Sequence, residues 1–296
     1  MPEEGITDFF VTEDAFAKIN LALHVTGQRA DGYHLLEMLV TFASHGDRLG
    51  VALSDVDHFT ISGRFGAELS ADGCANLVLR ARDLLRHTVR DHGGDAPPVH
   101  IHLEKNLPIA SGVGGGSADA AAALRGLTRL WNATLPPDIR SAMAIKLGAD
   151  VPMCLESRPL AARGIGEKIE PLDHMPSFAM VLANPLKGVS TPEVFRRLAT
   201  KANPPLFLAP QDGWIETIKA ARNDLEQPTR ELLPEIAVIS AMLEEEGALL
   251  VRMSGSGATC FGIFESNTEA ERAGAALHRK RPDWYFQVTE TLAGGR

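Results

Sequence analysis

Residues Leu107 to Leu124 read LPIASGVGGGSADAAAAL, with four glycines in the five positions from 112 to 116. Glycine loses more conformational freedom on folding than other residues, so a glycine run indicates that something must approach the backbone closely. The alanine-rich segment after it predicts a helix that begins at Ser117. The first N–H groups of a helix lack intrahelical partners and carry about half a positive charge, which favours an anion. The pattern predicts a phosphate-binding loop; a flexible loop before a core helix is the alternative.

Two widespread phosphate-binding patterns do not match this loop. A P-loop requires G-x-x-x-x-G-K-[ST], and no lysine followed by Ser or Thr stands at that spacing. A dinucleotide fingerprint requires G-x-G-x-x-G, whereas Gly112 and Gly114 are followed by Ser117 at the third position. The carboxylate expected about 20 residues later to bind the ribose is also missing, since Asp138 falls in the next predicted helix. The dehydrogenase interpretation therefore fails.

The composition is that of a soluble globular protein. The 296 residues are 45% hydrophobic and 23% charged, and the formal net charge is -9. This charge argues against a protein that coats nucleic acid, but it permits a local basic pocket for a phosphorylated ligand. Cys74, Cys154 and Cys260 match no zinc spacing and are expected to be buried thiols in a reducing compartment. Without a signal peptide or an apolar run of ~18 residues, we expect a cytoplasmic protein with no membrane partner and leave its oligomeric state open.

The pattern along the chain predicts two domains, residues 1–157 and 158–296. Apolar residues alternate over residues 17–25, which predicts a strand, and a turn signal at Asp31-Gly32 predicts a return strand. Asn76 is placed to cap a helix. The second half predicts four strands near 178–182, 248–253, 258–264 and 284–291, with two or three helices after the first strand and one helix before the last. That order favours a four-stranded antiparallel sheet of ferredoxin-like plan.

Lys18, Asn20 and Asp150 are candidates for phosphoryl-transfer chemistry, which needs electrostatic clamping and a positioned acceptor. Lys18 and Asn20 share one side of the first predicted strand. Asp150 follows a glycine that ends a helix and precedes an apolar run predicted to be a strand. A lysine near Asp150 favours its ionised form, which can accept or orient a hydroxyl proton. A solvent-facing lysine and a turn-forming aspartate are the alternatives.

A second glycine stretch, Ser254 to Gly257 in RMSGSGATCFGIF, joins two predicted strands. It is either a simple hairpin connection or, if it faces the first glycine loop, a source of N–H donors to a transferring phosphate.

Five segments together resemble the GHMP small-molecule kinases. They are AKINLALHVTGQRADGYHLLEMLV, KNLPIASGVGGGSADAAAAL, LGADVPMCL, GIGEKIEP and MSGSGATCFGIF, and they occur in the family's order from residue 17 to about residue 265. The glycine loop belongs to the whole superfamily. The Gly-Tyr-His of the first segment is specific to the members that act on a cytidine diphosphate-linked methylerythritol.

The resemblance implies a two-domain α+β fold, with an N-terminal mixed α/β ATP-binding domain and a C-terminal ferredoxin-like domain. It implies transfer of the γ-phosphate of ATP, with Mg²⁺, to the 2-hydroxyl of 4-diphosphocytidyl-methylerythritol in the non-mevalonate route to isoprenoid precursors. Lys18 and Asp150 match the catalytic lysine and aspartate, and Asn20 helps to place the acceptor. The residues that match the ATP phosphate loop are Pro108, Ile109, Ala110, Ser111, Gly112, Val113, Gly114, Gly115, Gly116, Ser117 and Ala118.

The resemblance also implies where the two bases of the substrates bind. Asn76 and Lys105 match positions near the adenine. Tyr33 and His34 lie at the cytosine end, with Phe195 as a stacking partner. An aromatic ring next to an imidazole can hold a flat base by stacking and hydrogen bonds, although hairpin packing is the alternative for Tyr33 and His34.

One position departs from the family's pattern. Residue 118 is alanine where many relatives carry a second serine, so a hydroxyl ligand for magnesium is missing there. Asp119 is either a substitute ligand or a residue that favours the start of a helix. No pair of carboxylates marks a metal site built by the protein, which leaves ATP oxygens and water as the main magnesium ligands.

Two alternative functions remain open. A sibling kinase would act on homoserine, mevalonate or a sugar and would ignore the cytidine group. A catalytically inactive nucleotide-binding sensor would bind ATP without turnover, although the presence of both Lys18 and Asp150 argues against it.

Overall fold

The computed structural model describes residues 9–69 and 76–295. The chain forms two units by its contacts. Unit 1 comprises the described residues up to Ala17, Gly46–Ile109 and Gly114–Glu156; unit 2 comprises Lys18–His45, Ala110–Val113 and the chain from Ser157 onward. These units are discontinuous in sequence, so the division into 1–157 and 158–296 stays a prediction about domains. Cys154 and Cys260 are buried free thiols, as expected, and Cys74 lies outside the described residues.

The described residues form both strands and helices, as predicted. The strands are β1 (Val11–Gln28), β2 (His34–Leu53), β3 (His58–Ser62), β4 (Val99–Glu104), β5 (Leu160–Gly164), β6 (Lys168–Pro171), β7 (Ala179–Asn184), β8 (Leu250–Met253), β9 (Cys260–Phe264) and β10 (Tyr285–Glu290). The helices are α1 (Leu77–Asp91), α2 (Gly115–Leu130), α3 (Pro137–Leu147), α4 (Val151–Glu156), α5 (Thr191–Arg196), α6 (Trp214–Ala220), α7 (Glu226–Leu232), α8 (Glu235–Glu245) and α9 (Asn267–Lys280). Within these residues, no helix is long and apolar enough to span a membrane.

Unit 1 combines the second half of β2 and strands β3 and β4 with helices α1 to α4. The second half of β2 pairs antiparallel with β4, and β3 pairs parallel with β4. The α1 helix begins where predicted, because the Asn76 side chain accepts a hydrogen bond of 2.9 Å from the Val78 N–H. The alanine run Ala120–Ala123 of α2 is fully buried. Such small side chains allow a helix to pack closely against its neighbours, and α1 and α2 are in contact.

Two predicted boundaries in unit 1 are wrong. The α2 helix begins at Gly115 and not at Ser117, because Gly114 takes a left-handed conformation (φ 64°) and turns the chain directly into the helix. Asp150 precedes the short helix α4 and not a strand. The apolar run VPMCL alone does not separate a strand from a buried helix, and Pro152 is tolerated in the first turn of a helix.

In unit 2, the predicted four-stranded antiparallel sheet is confirmed. Its strand order is β10-β7-β9-β8, and every neighbouring pair is antiparallel. Four α-helices lie between β7 and β8, where the sequence predicted two or three. The predicted hairpin between β1 and β2 is also present, since the Arg29 N–H donates to the Tyr33 carbonyl at 2.8 Å. The first half of β2 pairs with β5, and β5 pairs with β6.

A partly buried ion pair ties three elements of unit 1 together. The guanidinium of Arg86 in α1 donates two hydrogen bonds, of 2.5 and 2.7 Å, to the carboxylate of Asp57, which precedes β3. The same carboxylate accepts a hydrogen bond of 2.9 Å from the N–H of Val99 at the start of β4. The hydrogen bonds from Arg86 lower the pKa of Asp57 from its usual 3.8 to about 2.

This shift predicts a pH-dependent loss of stability. Because the pKa of Asp57 is lower in the folded chain than in the unfolded chain, its contribution is present above about pH 4 and is lost towards pH 2. We expect Asp57→Asn to lower the free energy of unfolding by about 2 kcal/mol at pH 7, since one pKa unit corresponds to about 1.4 kcal/mol. Urea unfolding of both proteins measures the difference, which should shrink as the pH falls from 4 to 2. A difference that is constant over this range would contradict the prediction.

Candidate active site

The start of α2 presents a set of backbone donors. The helical hydrogen-bond ladder begins with the Ala118 N–H, which donates to the Gly114 carbonyl at 2.8 Å. The N–H groups of Gly115, Gly116 and Ser117 precede this ladder and have no intrahelical acceptor. The start of α1 adjoins this point, because a Cβ on Gly116 would lie 3.6 Å from Leu77 Cδ1. The arrangement suits an anion next to the residues around Asn76.

Asn76 has one polar atom left over after capping α1. Its Oδ1 accepts the hydrogen bond from Val78, whereas its Nδ2 is buried and has no hydrogen-bond partner in the described part of the chain. A buried donor without a partner is costly, so a ligand acceptor at this position would satisfy it. An adenine ring nitrogen is such an acceptor.

Lys105 and Asp119, two further residues near the loop, form an ion pair. The Lys105 ammonium donates to the carboxylate of Asp47 and, at 2.8 Å, to Asp119 Oδ2. All three side chains are buried. The adenine role of Lys105 therefore stays a prediction, and the Asp119 carboxylate is engaged by an ammonium.

The middle of the glycine loop, Ala110–Val113, belongs to unit 2, where it is held by backbone hydrogen bonds. The Val113 carbonyl accepts from the Lys18 N–H at 2.8 Å, and the Ser111 carbonyl accepts from the Thr259 N–H at 3.0 Å. The loop is thus fixed to β1 on one side and to the chain entering β9 on the other. An ordered backbone of this kind is what a pre-formed phosphate site requires.

The second glycine stretch packs directly on the first. Gly112 has φ 78°, and a Cβ there would lie 2.5 Å from the Gly257 carbonyl oxygen and 2.7 Å from that of Ser254. The stretch connects β8 and β9 as a hairpin, which is the first alternative. It also faces the glycine loop, which is the condition set by the second alternative. The sequence alone did not decide between them, and the structure contains both features.

Lys18 and Asn20 lie side by side in the buried part of β1. The Lys18 ammonium donates to Asn20 Oδ1 at 3.0 Å, and only 3% of Lys18 is exposed. This burial excludes the solvent-facing alternative for the lysine. Asn20 Nδ2 is buried and has no hydrogen-bond partner within residues 9–69 and 76–295, so it is a donor available to a ligand.

Two residues that hold these groups in place were not assigned from the sequence. The Ser254 hydroxyl accepts from the Asn20 N–H at 3.0 Å and donates to the Gly112 carbonyl at 3.1 Å. The Asn223 amide donates to the carbonyls of Met253 and Gly255 at 2.7 and 2.8 Å. Ser254 belongs to the second glycine stretch, but Asn223 has no local signal because its partners lie 30 and 32 residues away.

Asp150 is half-buried and lies in unit 1, where the turn after α3 enters α4. Its backbone carbonyl accepts from the Cys154 N–H at 3.1 Å, so the residue sits at the first position before the helix. Its position is compatible with a turn former and with a catalytic carboxylate. Its catalytic role stays a prediction.

Two of the three residues predicted for the cytosine end are in contact. The rings of His34 and Phe195 are stacked, with centroids 4.5 Å apart and planes 22° from parallel. Burial lowers the pKa of His34 below its usual 6.5, and the charge of Lys201 lowers it further. His34 Nε2 has no hydrogen-bond partner in the described ranges. Tyr33 is 60% exposed at the hairpin, so its ring is not part of the core.

Comparisons with known proteins agree with this fold and give the family. The chain matches the GHMP kinases N terminal domain over residues 76–158 and the GHMP kinases C terminal over residues 211–283. It is 71% identical to 4-diphosphocytidyl-2-C-methyl-D-erythritol kinase of Rhizobium etli, with all of both chains covered. The chain belongs to this family of GHMP kinases.

Solved structures give the same family and fold. A crystal structure of 4-(cytidine 5'-diphospho)-2C-methyl-D-erythritol kinase is 33% identical with a TM-score of 0.80, covering 96% of this chain and all of that one. Homoserine kinase from Cytophaga hutchinsonii is 18% identical with a TM-score of 0.69 over 96% of each chain, which shows a shared fold alone. The GHMP kinase fold, with its N- and C-terminal domains, is therefore confirmed. The chain is a kinase, and kinases of this family use ATP.

Proposed function

We propose that this kinase transfers the γ-phosphate of ATP to the 2-hydroxyl of 4-diphosphocytidyl-2-C-methyl-D-erythritol, a step towards isoprenoid precursors. Full-length similarity to kinases named for this substrate supports the acceptor. The observation that carries the proposal is that Asn20, His34 and Asn76 each have a buried polar atom with no hydrogen-bond partner among residues 9–69 and 76–295. These residues are assigned to the acceptor, its cytosine and the adenine of ATP, so the unpaired atoms lie where ligands are expected to bind.

The nucleotide is assigned to the glycine loop and the start of α1. The N–H groups of Gly115, Gly116 and Ser117 bind phosphate oxygens, supported by the positive end of α2. Asn76 Nδ2 donates to the adenine. Glycine at these positions keeps side chains out of the path of the phosphates.

The cytosine of the acceptor is assigned to His34 and Phe195, with Tyr33 at the rim. His34 is neutral at pH 7 because burial lowers its pKa, so it presents one N–H donor and one acceptor nitrogen. A flat base binds by stacking on the aromatic face of Phe195 and by a hydrogen bond to the unpaired Nε2 of His34.

The chemical step is assigned to Lys18, Asn20 and Asp150. Asp150 accepts the proton of the 2-hydroxyl while the hydroxyl oxygen attacks the γ-phosphorus. The bond from that phosphorus to the bridging oxygen breaks, and ADP leaves with the electron pair. Lys18 stabilises the negative charge on the transferring group, and Asn20 orients the acceptor through Nδ2.

Magnesium is proposed to enter with ATP. The described ranges contain no group of three His, Cys, Asp or Glu side chains arranged to hold a metal ion. The carboxylate of Asp119 accepts from the Lys105 ammonium, which makes it a poor substitute ligand. We therefore assign the metal to ATP oxygens and water, and no step above depends on a protein ligand for it.

The alternative functions are not favoured. A kinase for homoserine, mevalonate or a sugar has no use for the stacked His34 and Phe195. Relatives named for the cytidylated substrate match the entire chain, whereas the homoserine kinase shares the fold at 18% identity. A non-catalytic sensor has no need of a lysine buried beside Asn20, whose Nδ2 has no hydrogen-bond partner in the described part of the chain.

A substitution at the cytosine end tests the acceptor assignment. We expect Phe195→Ala to raise KM for the cytidylated acceptor about tenfold or more, because stacking on an aromatic side chain contributes about 1–3 kcal/mol per base. KM for ATP should not change. Phe207→Ala is the matched control, since Phe207 is 78% exposed in the same unit. Equal effects of both substitutions on the acceptor KM would contradict the assignment.

Transfer of a labelled phosphate tests the reaction itself. ATP labelled with ³²P at the γ-position is incubated with the enzyme, magnesium and 4-diphosphocytidyl-methylerythritol. We expect the label in the cytidylated product, and NMR should place the new phosphate on the 2-hydroxyl. Label found only as inorganic phosphate, or on another hydroxyl, would overturn the proposal.

A further inference from the structure

Three buried charges surround the two ends of the phosphate loop in unit 1. Asp47 lies in β2, Lys105 directly follows β4, and Asp119 lies in the second turn of α2; their exposed fractions are 0%, 3% and 3%. Removing charges from water is costly, and their pairing seldom does more than offset that cost. Stability alone is therefore a weak reason for such a cluster, and its position at the loop points to another role.

On the entry side of the loop, Asp47 fixes the backbone. Its Oδ1 accepts from the N–H groups of Asn106 and Leu107 at 2.6 and 2.8 Å, and its Oδ2 accepts from the Lys105 ammonium. The backbone of Lys105 is itself held, because its N–H donates to the Ser62 carbonyl at 2.8 Å. The three residues that lead into Pro108 therefore have a defined path.

On the exit side, the Lys105 ammonium holds the first turns of α2. It donates to Asp119 Oδ2 at 2.8 Å, and a Cβ on Gly115 would lie 3.1 Å from its nitrogen. Asp119 Oδ1 has no hydrogen-bond partner in the described ranges. The Lys105 ammonium thus contacts the Asp119 carboxylate through Oδ2.

We propose that Asp47, Lys105 and Asp119 form an ionic clasp, a bridge that holds the two ends of the phosphate loop at a fixed spacing. The clasp orients the N–H groups at the start of α2 towards the phosphates of the nucleotide. The inference rests on the proposed function, since it assumes that the loop binds phosphate. It makes Lys105 and Asp119 positioning residues, and not an adenine contact and a magnesium ligand.

The electrostatics of Asp119 agree with its dependence on Lys105. Burial raises the pKa of Asp119, and the neighbouring charge of Lys105 opposes this effect. The ammonium therefore favours the charged carboxylate that accepts its hydrogen bond.

The test measures ligand affinity in the full-length chain for Asp119→Ala, Lys105→Met and the double variant. Alanine has a higher helix propensity than aspartate, so Asp119→Ala removes the bridge without weakening α2. The probes are ATP, inorganic tripolyphosphate and adenosine. We expect each single variant to weaken ATP and tripolyphosphate by the same factor, about tenfold or more, with adenosine affinity unchanged. The double variant should be no weaker than the worse single variant, because both remove one bridge.

Two further measurements keep the test specific. The exposed pair Lys219 and Glu216, 2.9 Å apart, supplies the control variants Lys219→Met and Glu216→Ala, which should leave all three affinities unchanged. If Lys105→Met does not fold, because it leaves two buried carboxyl groups facing each other, the double variant replaces it. The double variant should then bind tripolyphosphate as weakly as Asp119→Ala.

Three results would overturn the clasp. Unchanged tripolyphosphate affinity in folded variants would show that the loop does not need it. Loss of ATP affinity without loss of tripolyphosphate affinity in Lys105→Met would indicate an adenine contact. A shift in the magnesium concentration for half-maximal activity in Asp119→Ala alone would indicate a metal ligand. Failure of the wild-type chain to bind tripolyphosphate or ATP would instead overturn the proposed function.

Discussion

Asp150→Asn is expected to lower kcat by about 10²- to 10⁴-fold, the range that a positioned general base contributes. Asparagine has nearly the same shape but cannot accept the proton of the acceptor hydroxyl. KM for ATP should change little, because Asp150 lies outside the glycine loop. Steady-state kinetics with each substrate varied in turn measures both constants.

A matched control exists in the same unit. Asp138 is an exposed aspartate in the first turn of α3, and Asp138→Asn should leave kcat unchanged. Lys18→Met should resemble Asp150→Asn, with a fall in kcat and little change in KM for ATP. Near wild-type turnover in either Asp150→Asn or Lys18→Met would show that the assigned chemistry is wrong.

Gly112→Ala is expected to weaken ATP binding by on the order of 10²-fold, since displacement of a binding group by about 1 Å can have that effect. The new Cβ would lie 2.5 Å from the Gly257 carbonyl oxygen, so one of the two glycine stretches must move. The φ of 78° adds backbone strain, because side chains disfavour the left-handed region. Isothermal titration with ATP measures the affinity.

Gly188→Ala is the matched control for this substitution. Gly188 lies in the same unit, and a Cβ there would meet no atom within 4 Å. It should bind ATP like the wild type and unfold at the same temperature. An unchanged ATP affinity in folded Gly112→Ala would contradict the assignment of this loop to phosphate.

The parts of the fold that could be predicted carry local signals. The alternation at residues 17–25 predicted the strand that contains Lys18, and Asn76 predicted the start of α1. Four apolar runs, with helical patterns after the first and before the last, predicted the antiparallel sheet of unit 2. In each case the residues that decide the structure are neighbours along the chain, so the pattern is visible in the sequence.

The parts that were missed depend on contacts between distant residues. Asp47 and Lys105 are 58 positions apart, and no spacing rule indicates that they meet beneath Gly115. Asn223 acts through backbone carbonyls, which are present at every residue and leave no trace in the sequence. The start of α2 was missed because glycine is a poor helix former, and the conformation of Gly114 overrides that preference.

In the candidate site, too, local sequence patterns could be predicted and contacts between distant residues could not. Its glycine loop has a strong sequence pattern, and the resemblance supplied residues such as His34 and Phe195. Their stacking at 4.5 Å could not be derived from spacing, because the residues come from β2 and α5. The resemblance implies which residues bind the substrates, and the structure shows which of their atoms have no hydrogen-bond partner within the described residues.

Release of ADP across a panel of acceptors tests the central claim most directly. With ATP and magnesium present, the panel contains 4-diphosphocytidyl-methylerythritol, methylerythritol 4-phosphate, mevalonate, homoserine and galactose. We predict turnover with the cytidylated acceptor and none with the other four. Turnover with another acceptor in its place, or no turnover with any acceptor while ATP still binds, would contradict the account.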